Sequence, residues 1–156
     1  MKHLKNILAL IIMIFALTLT ACQTINVNGK TFIFDKVQID WGLAQSKEEK
    51  EIVLANYSVG NEKEFAEYLK KYQDRENRVT TFGTDNKYYT KNGNNEIVDS
   101  GYYKQDEAVI TLSDTEKGLE DVGSYTLQAN EKGYVVIVKL DDEMKIFARY
   151  TYIEQT

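Results

Sequence analysis

The feature that most constrains this chain is the two-residue alternation that runs from residue 78 to residue 153. In the segment Met144–Ile153, Met, Ile, Ala, Tyr and Tyr occupy alternate positions, and Lys, Phe, Arg and Thr occupy the positions between them. Successive side chains of a β-strand point to opposite faces, so this pattern is typical of a half-buried strand. We predict seven strands in this part of the chain: Arg78–Thr84, Lys87–Lys91, Glu96–Lys104, Ala108–Ser113, Val122–Ala129, Tyr134–Leu140 and Met144–Ile153.

Most of these strands are joined by short polar turns. Asp85-Asn86 and Asn92–Asn95 carry residues that tolerate a positive φ, and Asn130–Gly133 has the same character. The segment 114–121 is a longer acidic loop. Consecutive strands with short connections favour an antiparallel meander.

One further strand is predicted ahead of this half, over residues 30–41. By the same two-residue period, Ile33, Val37, Ile39 and Trp41 share one face of that strand, whereas Phe32 and Phe34 share the other.

The period then changes to that of a helix. Ser46 and Glu49 have the spacing of a capping box and predict a helix that ends near Tyr57. Asn61 predicts the start of a second helix, in which the apolar side chains recur on one face. That face consists of Phe65, Tyr68, Leu69 and Tyr72.

The fold class that follows is mainly β, with about eight antiparallel strands in a meander and one or two helices inserted between strands 1 and 2. Closure of the meander into a barrel removes the exposed strand edges, so we predict a closed barrel. The alternative is an open or flattened sheet with a helix across one side. An eight-stranded barrel holds its own side chains and at most one small ligand.

The N-terminus has the three parts of a signal peptide: a basic start at Lys2 and Lys5, an apolar run over Ile7–Leu17, and small residues after it. The motif Leu19-Thr20-Ala21-Cys22 resembles the lipobox of bacterial lipoproteins. The resemblance implies that residues 1–21 are removed and that Cys22 carries a diacylglyceryl anchor, which supplies the two acyl chains that stable anchoring needs. A secreted protein without lipid, or an uncleaved N-terminal membrane helix, are the alternatives.

This interpretation divides the chain into a signal peptide over residues 1–21, a lipidated cysteine with a short tether over residues 22–29, and the barrel domain over residues 30–156. The expected location is the bacterial cell envelope. By resemblance to lipoprotein sorting rules, Gln23 allows the outer membrane if the host has two membranes.

Cleavage also restricts the chemistry. The mature chain lacks His3, the only histidine, and lipidation consumes Cys22, the only cysteine. Nucleophilic catalysis with a histidine base and Cys/His metal sites are therefore excluded, and we expect no enzyme activity, catalytic residue, metal or cofactor. Loss of Lys2 and Lys5 leaves 17 basic and 24 acidic residues, a formal charge of −7 that disfavours nucleic acid as a partner.

Tyrosine is abundant, with eleven residues in the chain, and most of them are expected to pack the sheet. Strand alternation points one ring of each adjacent pair outward, and tyrosine suits recognition surfaces. The candidate surface binding residues are therefore Tyr88, Tyr89, Tyr102 and Tyr103.

The β-rich part is similar to bacterial lipocalin-like domains, which are small exported barrels of the calycin type. The segment Phe82–Tyr88 (FGTDNKY) resembles the family's F-x-x-D-G-x-Y hairpin, with Asp-Asn in place of Asp-Gly. Gly101-Tyr102 with Ile110–Leu112, and then Gly123–Tyr125, resemble the strand pairs that follow in that family. The resemblance covers residues 78–153 and the first strand, and it implies a fold and an envelope location but no particular ligand.

We therefore expect a lipid-anchored envelope protein that acts by non-enzymatic binding, either of a protein at its surface or of a small apolar ligand. Bulky residues inside a small barrel favour the surface mode, and a cavity of several hundred Å³ would favour the ligand. The alternatives are a structural or stress-sensing envelope lipoprotein and a carboxylate-based hydrolase, which would require two buried acids in one cleft.

Overall fold

The computed structural model describes residues 24–121 and 124–156, so the predicted signal peptide, Cys22, Gln23 and Val122-Gly123 lie outside the described residues. Eight antiparallel strands pair in sequence order, and the first also pairs with the last, which closes the barrel. The predicted closed meander is confirmed. The strands are β1 (Thr31–Asp40), β2 (Val79–Phe82), β3 (Lys87–Lys91), β4 (Ile97–Asp106), β5 (Val109–Ser113), β6 (Tyr125–Ala129), β7 (Gly133–Asp141) and β8 (Ile146–Glu154).

Two α-helices, α1 (Lys47–Asn56) and α2 (Glu62–Lys71), lie between β1 and β2 as predicted. The N–H of Glu49 donates to the Ser46 hydroxyl and the Glu49 carboxylate accepts from the Ser46 N–H, so the capping box is complete. A 3₁₀ segment over Tyr72–Asn77 leads from α2 to β2, and a second one covers Lys117–Glu120. Within the described part of the chain, no helix is long and apolar enough to cross a membrane.

The predicted faces of β1 are wrong because the strand contains a β-bulge. Phe34 pairs with Tyr152 of β8, but the next paired residue is Lys36, which meets Thr151. The extra residue reverses the alternation. As a result, both predicted sets contribute to a single interior: Phe32 is buried in the barrel core, and Phe34, Val37, Ile39 and Trp41 pack against it.

The alternation predicted for the last strand is confirmed. Four alternate residues of β8 are buried, namely Ile146, Ala148, Tyr150 and Tyr152. They face the alternate residues of β7, of which Tyr134 and Val136 are also buried.

The barrel has two different ends, which we name by their turns. The closed end carries the turns at residues 83–86, 107–108 and 130–132, and the open end carries those at 92–96 and 142–145 together with the helices. Inside the closed end, large aromatic rings meet across the barrel. The ring centres of Phe82 and Tyr103 are 4.9 Å apart, and those of Phe32 and Tyr134 are 5.4 Å apart.

Residues 24–29, which the sequence suggested as a tether, pack against the closed end. Val27 is fully buried, and its N–H donates to the side-chain oxygen of Gln105 at 2.9 Å. The N–H of Ile25 donates to the carbonyl of Asn130 at 2.7 Å. This segment therefore completes the core at that end.

The helices pack against the barrel near the open end. Phe65 and Leu69 of α2 are buried in the barrel core, and the Tyr150 hydroxyl donates to the Leu69 carbonyl at 3.3 Å. Tyr68 and Tyr72, which share the predicted apolar face of α2, remain 38 % and 46 % exposed. Only two of the four residues on that face are therefore buried in the core.

Candidate functional site

A cavity of about 480 Å³ occupies the open end of the barrel. Its volume falls within the range of about 300–1,000 Å³ that is usual for ligand pockets. Side chains do not fill this space, although four tyrosines are among the residues that line it. The cavity is lined by Arg75, Arg78, Thr80, Tyr88, Thr90, Asp99, Leu112, Tyr125, Leu127, Tyr134, Val136, Ile137, Val138, Lys139 and Tyr152.

The mouth of the cavity carries two arginines from the segment between α2 and β2. The guanidinium of Arg75 lies 4.6 Å from the ring centre of Tyr150, which is a cation–π contact. The Nε of Arg78 donates to the Gln73 carbonyl at 3.1 Å. Within residues 24–121 and 124–156, neither arginine forms a salt bridge, whereas Lys139, also in the lining, pairs with Asp142.

The backbone that presents these arginines has an unusual conformation. Gln73 and Asp74 both adopt positive φ, at 54° and 56°, which costs free energy for residues other than glycine. The Asp74 carboxylate accepts from Asn77 Nδ2 at 2.6 Å and from the Gly93 N–H at 3.0 Å. These two hydrogen bonds lower the pKa of Asp74 and tie the arginine segment to the β3–β4 turn.

One carboxylate, Asp99 of β4, also lines the cavity. Its Oδ1 accepts a hydrogen bond from the Tyr88 hydroxyl at 3.2 Å. Burial, and then the charge of Asp99, raise the pKa of Tyr88 far above its usual value. Tyr88 is therefore neutral at ordinary pH and offers a hydroxyl rather than a charge.

The deeper lining is polar but uncharged. The hydroxyls of Thr80 and Thr90 are 2.9 Å apart, and the rings of Tyr134 and Tyr152 stack at 5.0 Å. Burial raises the pKa of Tyr134, and it raises that of Tyr150 to about 12 although the charge of Arg75 acts in the opposite direction. The positive charge of the site is thus confined to its mouth.

The four tyrosines predicted from the sequence as binding residues differ in whether they face the interior or the outside of the barrel. Tyr88 and Tyr103 point inward and are buried, and only Tyr88 reaches the cavity. Tyr89 is 38 % exposed, and Tyr102 is half-buried. Lysines cover both outer rings: Lys91 lies 5.8 Å from the ring centre of Tyr89, and Lys87 lies 5.6 Å from that of Tyr102.

Arg75 and Arg78 were not among the residues predicted from the sequence. A compositional signal was available, because the chain has 19 basic residues of which only Arg75, Arg78 and Arg149 are arginines. Arg75 and Arg78 lie three positions apart, directly after a predicted helix. Arginine binds planar oxyanions better than lysine does, so this concentration in a lysine-rich chain points to a site.

Within the described ranges, no group of three or more His, Cys, Asp or Glu side chains is placed to hold a metal ion. Comparison of the chain with protein-family models, with curated proteins and with solved structures finds no match. The interpretation of the site therefore depends on its geometry alone.

Proposed function

We propose that this protein is a lipid-anchored, lipocalin-like protein of the bacterial envelope that binds a small ligand in the open-end cavity without transforming it. The cavity of about 480 Å³ is the observation that carries the proposal. Its lining combines apolar walls with a few polar groups, which is the composition typical of ligand sites.

The two ends of the barrel give the ligand one route. Phe82 and Tyr103 fill the closed end, and Val27 is buried against it. The cavity is bounded instead by Arg75, Arg78 and Tyr125 near the strand ends at the opposite side. A ligand would therefore enter and leave at the open end.

The path of the chain also favours one orientation at the membrane. Thr24 lies at the closed end, where its hydroxyl is 3.5 Å from the carbonyl of Glu107. Cys22 is two residues earlier, and two extended residues span at most about 7 Å. An acyl anchor on Cys22 would hold the closed end against the bilayer, so the mouth would face the aqueous compartment.

Native mass spectrometry of the protein purified from its own host tests the ligand proposal. The wild-type barrel should carry a bound small molecule. Leu127→Trp fills the cavity from its wall and should lose the added mass, whereas Thr126→Trp places the same ring on the outer face of β6 and should retain it. A wild-type mass without ligand, or equal retention in both variants, would contradict the proposal.

The anchor has a separate test. Cys22→Ser removes the thiol that would carry the acyl chains, so the protein should lack lipid and keep residues 1–21, which gives it the mass of the full unmodified chain. A variant that stays membrane-bound at the mature mass would show that Cys22 is not the anchor.

The outer faces of β3 and β4 support a second candidate function, recognition of a protein partner. Tyr89 lies opposite Ser100, and Tyr102 lies two residues further along β4 on the same outer face. An exposed and a half-buried aromatic ring on adjacent strands suit a protein contact. The double variant Tyr89→Ser/Tyr102→Ser should abolish capture of that partner from membranes while the ligand mass is retained.

A further inference from the structure

Building on the proposed ligand site, we propose that the ligand is an organic anion whose oxyanion group is held by Arg75 and Arg78 at the cavity mouth. The apolar part of the ligand would lie against Leu112, Leu127 and Val136. The proposed ligand is therefore amphipathic and negatively charged, and differs from the small apolar ligand expected from the sequence.

The first argument is an unused hydrogen-bond donor. The Nε of Arg75 is buried and has no hydrogen-bond partner within the described residues. A buried donor without a partner costs free energy, and such groups are rare in folded proteins. The Nη2 of Arg75 donates to Gln73 Oε1 at a long 3.4 Å. Burial raises the pKa of the Tyr152 hydroxyl, and the guanidinium of Arg75 lies close enough to act in the opposite direction. A turn of the guanidinium toward the cavity that Arg75 lines would bring this donor to a ligand oxygen.

The second argument is uncompensated charge. The basic residues in salt bridges within the described ranges are Lys30, Lys47, Lys50, Lys70, Lys104, Lys139, Lys145 and Arg149. Arg75 and Arg78 are absent from these pairs, although the chain has more acidic than basic residues. Two arginines near one another bind an oxyanion through several charge-assisted hydrogen bonds, which are stronger than neutral ones.

Two carboxylates are close to the pair in sequence, Asp74 and Glu76, and neither forms a salt bridge with Arg75 or Arg78 within the described residues. Asp74 accepts hydrogen bonds from Asn77 and Gly93, and the charge of Arg78 adds to the lowering of its pKa without a salt bridge between the two within the described residues. Its contacts hold the positive-φ backbone at Gln73 and Asp74, so they fix the arginine segment in place. Strained backbone beside unpaired cations is typical of a preorganised binding site.

The position of Asp99 then orients the ligand. Asp99 borders the cavity together with Tyr88 and also borders a neighbouring surface depression with Asp114. A second anionic group there would be repelled, whereas the charged group of the ligand is attracted to the arginine side. The site therefore fits one oxyanion on an uncharged apolar body.

Two fluorescent dyes that differ by one anionic group test the inference: 1-anilinonaphthalene-8-sulfonate and the uncharged N-phenyl-1-naphthylamine. The protein is the chain from residue 22 onward with Cys22→Ser, since β1 and β8 close the barrel within residues 24–156. The sulfonate should bind about tenfold or more tightly than the neutral dye, as expected for charge-assisted hydrogen bonds. Arg75→Gln and Arg78→Gln should each remove most of that preference and leave binding of the neutral dye within about twofold.

The control is Lys87→Gln, which removes an outer-face cation beside Tyr102 and should change neither dye. Far-ultraviolet circular dichroism of every variant verifies that the β-structure of the barrel is retained. Equal affinity of the two dyes in the wild type, or an equal loss in the Lys87 variant, would overturn the anion inference and leave the cavity proposal standing. Failure of both dyes to bind the wild type would overturn the cavity proposal as well.

Discussion

The closed and open ends of this barrel follow the same alternation but have opposite contents. At the closed end, inward positions carry Phe32, Phe82 and Tyr103, whose rings pack across the barrel. Toward the open end, inward positions carry threonine, leucine and valine together with Tyr88, Tyr134 and Tyr152, and a cavity of about 480 Å³ remains. The space that the inward side chains leave between them, rather than the topology, distinguishes the open end as the one with a cavity.

The ends also differ in charge and backbone. Val27 at the closed end is fully buried. The open end carries the unpaired Arg75 and the positive φ of Asp74. Positive φ also occurs in closed-end turns, at Asn86 and Glu107, so the feature specific to the open end is the unpaired arginine beside a cavity.

The largest difference between the ends should appear when core side chains are truncated. Phe82→Ala removes a fully buried ring and should lower the free energy of unfolding by about 3–5 kcal/mol. Leu112→Ala removes a side chain that already borders a cavity and should cost about 2 kcal/mol. Urea unfolding monitored by circular dichroism measures both. Similar losses would mean that the open end is packed as well as the closed one.

A smaller difference in stability between the two ends is expected when a glycine at each end is replaced by alanine. At Gly133, a Cβ atom would collide with the carbonyl oxygen of Tyr152 in the neighbouring strand, so Gly133→Ala must separate β7 from β8. At Gly93, in an open-end turn, the nearest atom is the Cβ of Asn77 at 3.1 Å, which a backbone shift of a few tenths of an ångström can relieve. Gly133→Ala should therefore lower the melting temperature more than Gly93→Ala does. The reverse order would show that the β3–β4 turn is the more rigid site.

The helix caps provide a test confined to the open end. Ser46→Ala removes the capping hydroxyl of α1 and should cost about 1 kcal/mol. Ser46→Asp retains a capping acceptor and should restore most of that loss. If Ser46→Ala left stability unchanged, α1 would be held by packing alone.

The smallest effect on the free energy of unfolding is expected for a substitution of Asp74. Asp74→Asn should leave overall stability nearly unchanged, because the residue is at the surface, but should speed amide hydrogen exchange at Gly93 relative to Ile25 at the closed end. Hydrogen bonds from Asn77 and Gly93 lower the native pKa of Asp74. Its contribution is therefore complete above the ordinary aspartate pKa of about 3.9 and is lost as the pH falls through the lower native value. Unchanged protection of Gly93 would contradict this role.

Local patterns were sufficient to predict most of the elements. The alternation before Tyr152 predicted β8, and the spacing of Ser46 and Glu49 predicted α1, because both signals depend only on near neighbours. The bulge after Phe34 was not predictable in this way, since it depends on the register with β8. Burial of Val27 likewise depends on a contact with Gln105, 78 residues away.

The site was harder to predict than the fold. Of the four tyrosines chosen from the sequence, only Tyr88 lines the cavity. Arg75 reaches it because Gln73 and Asp74 adopt positive φ, and neither residue type signals that conformation strongly. The anchor at Cys22 remains a prediction from the sequence.

Methyl NMR during titration with 1-anilinonaphthalene-8-sulfonate tests most directly whether the open end is the binding site. The account predicts saturable shifts with one equivalent of dye at Leu112, Leu127 and Val136, and no shift at Val27. Shifts confined to exposed apolar residues such as Leu43 and Ile52, with the cavity methyls unchanged, would contradict it.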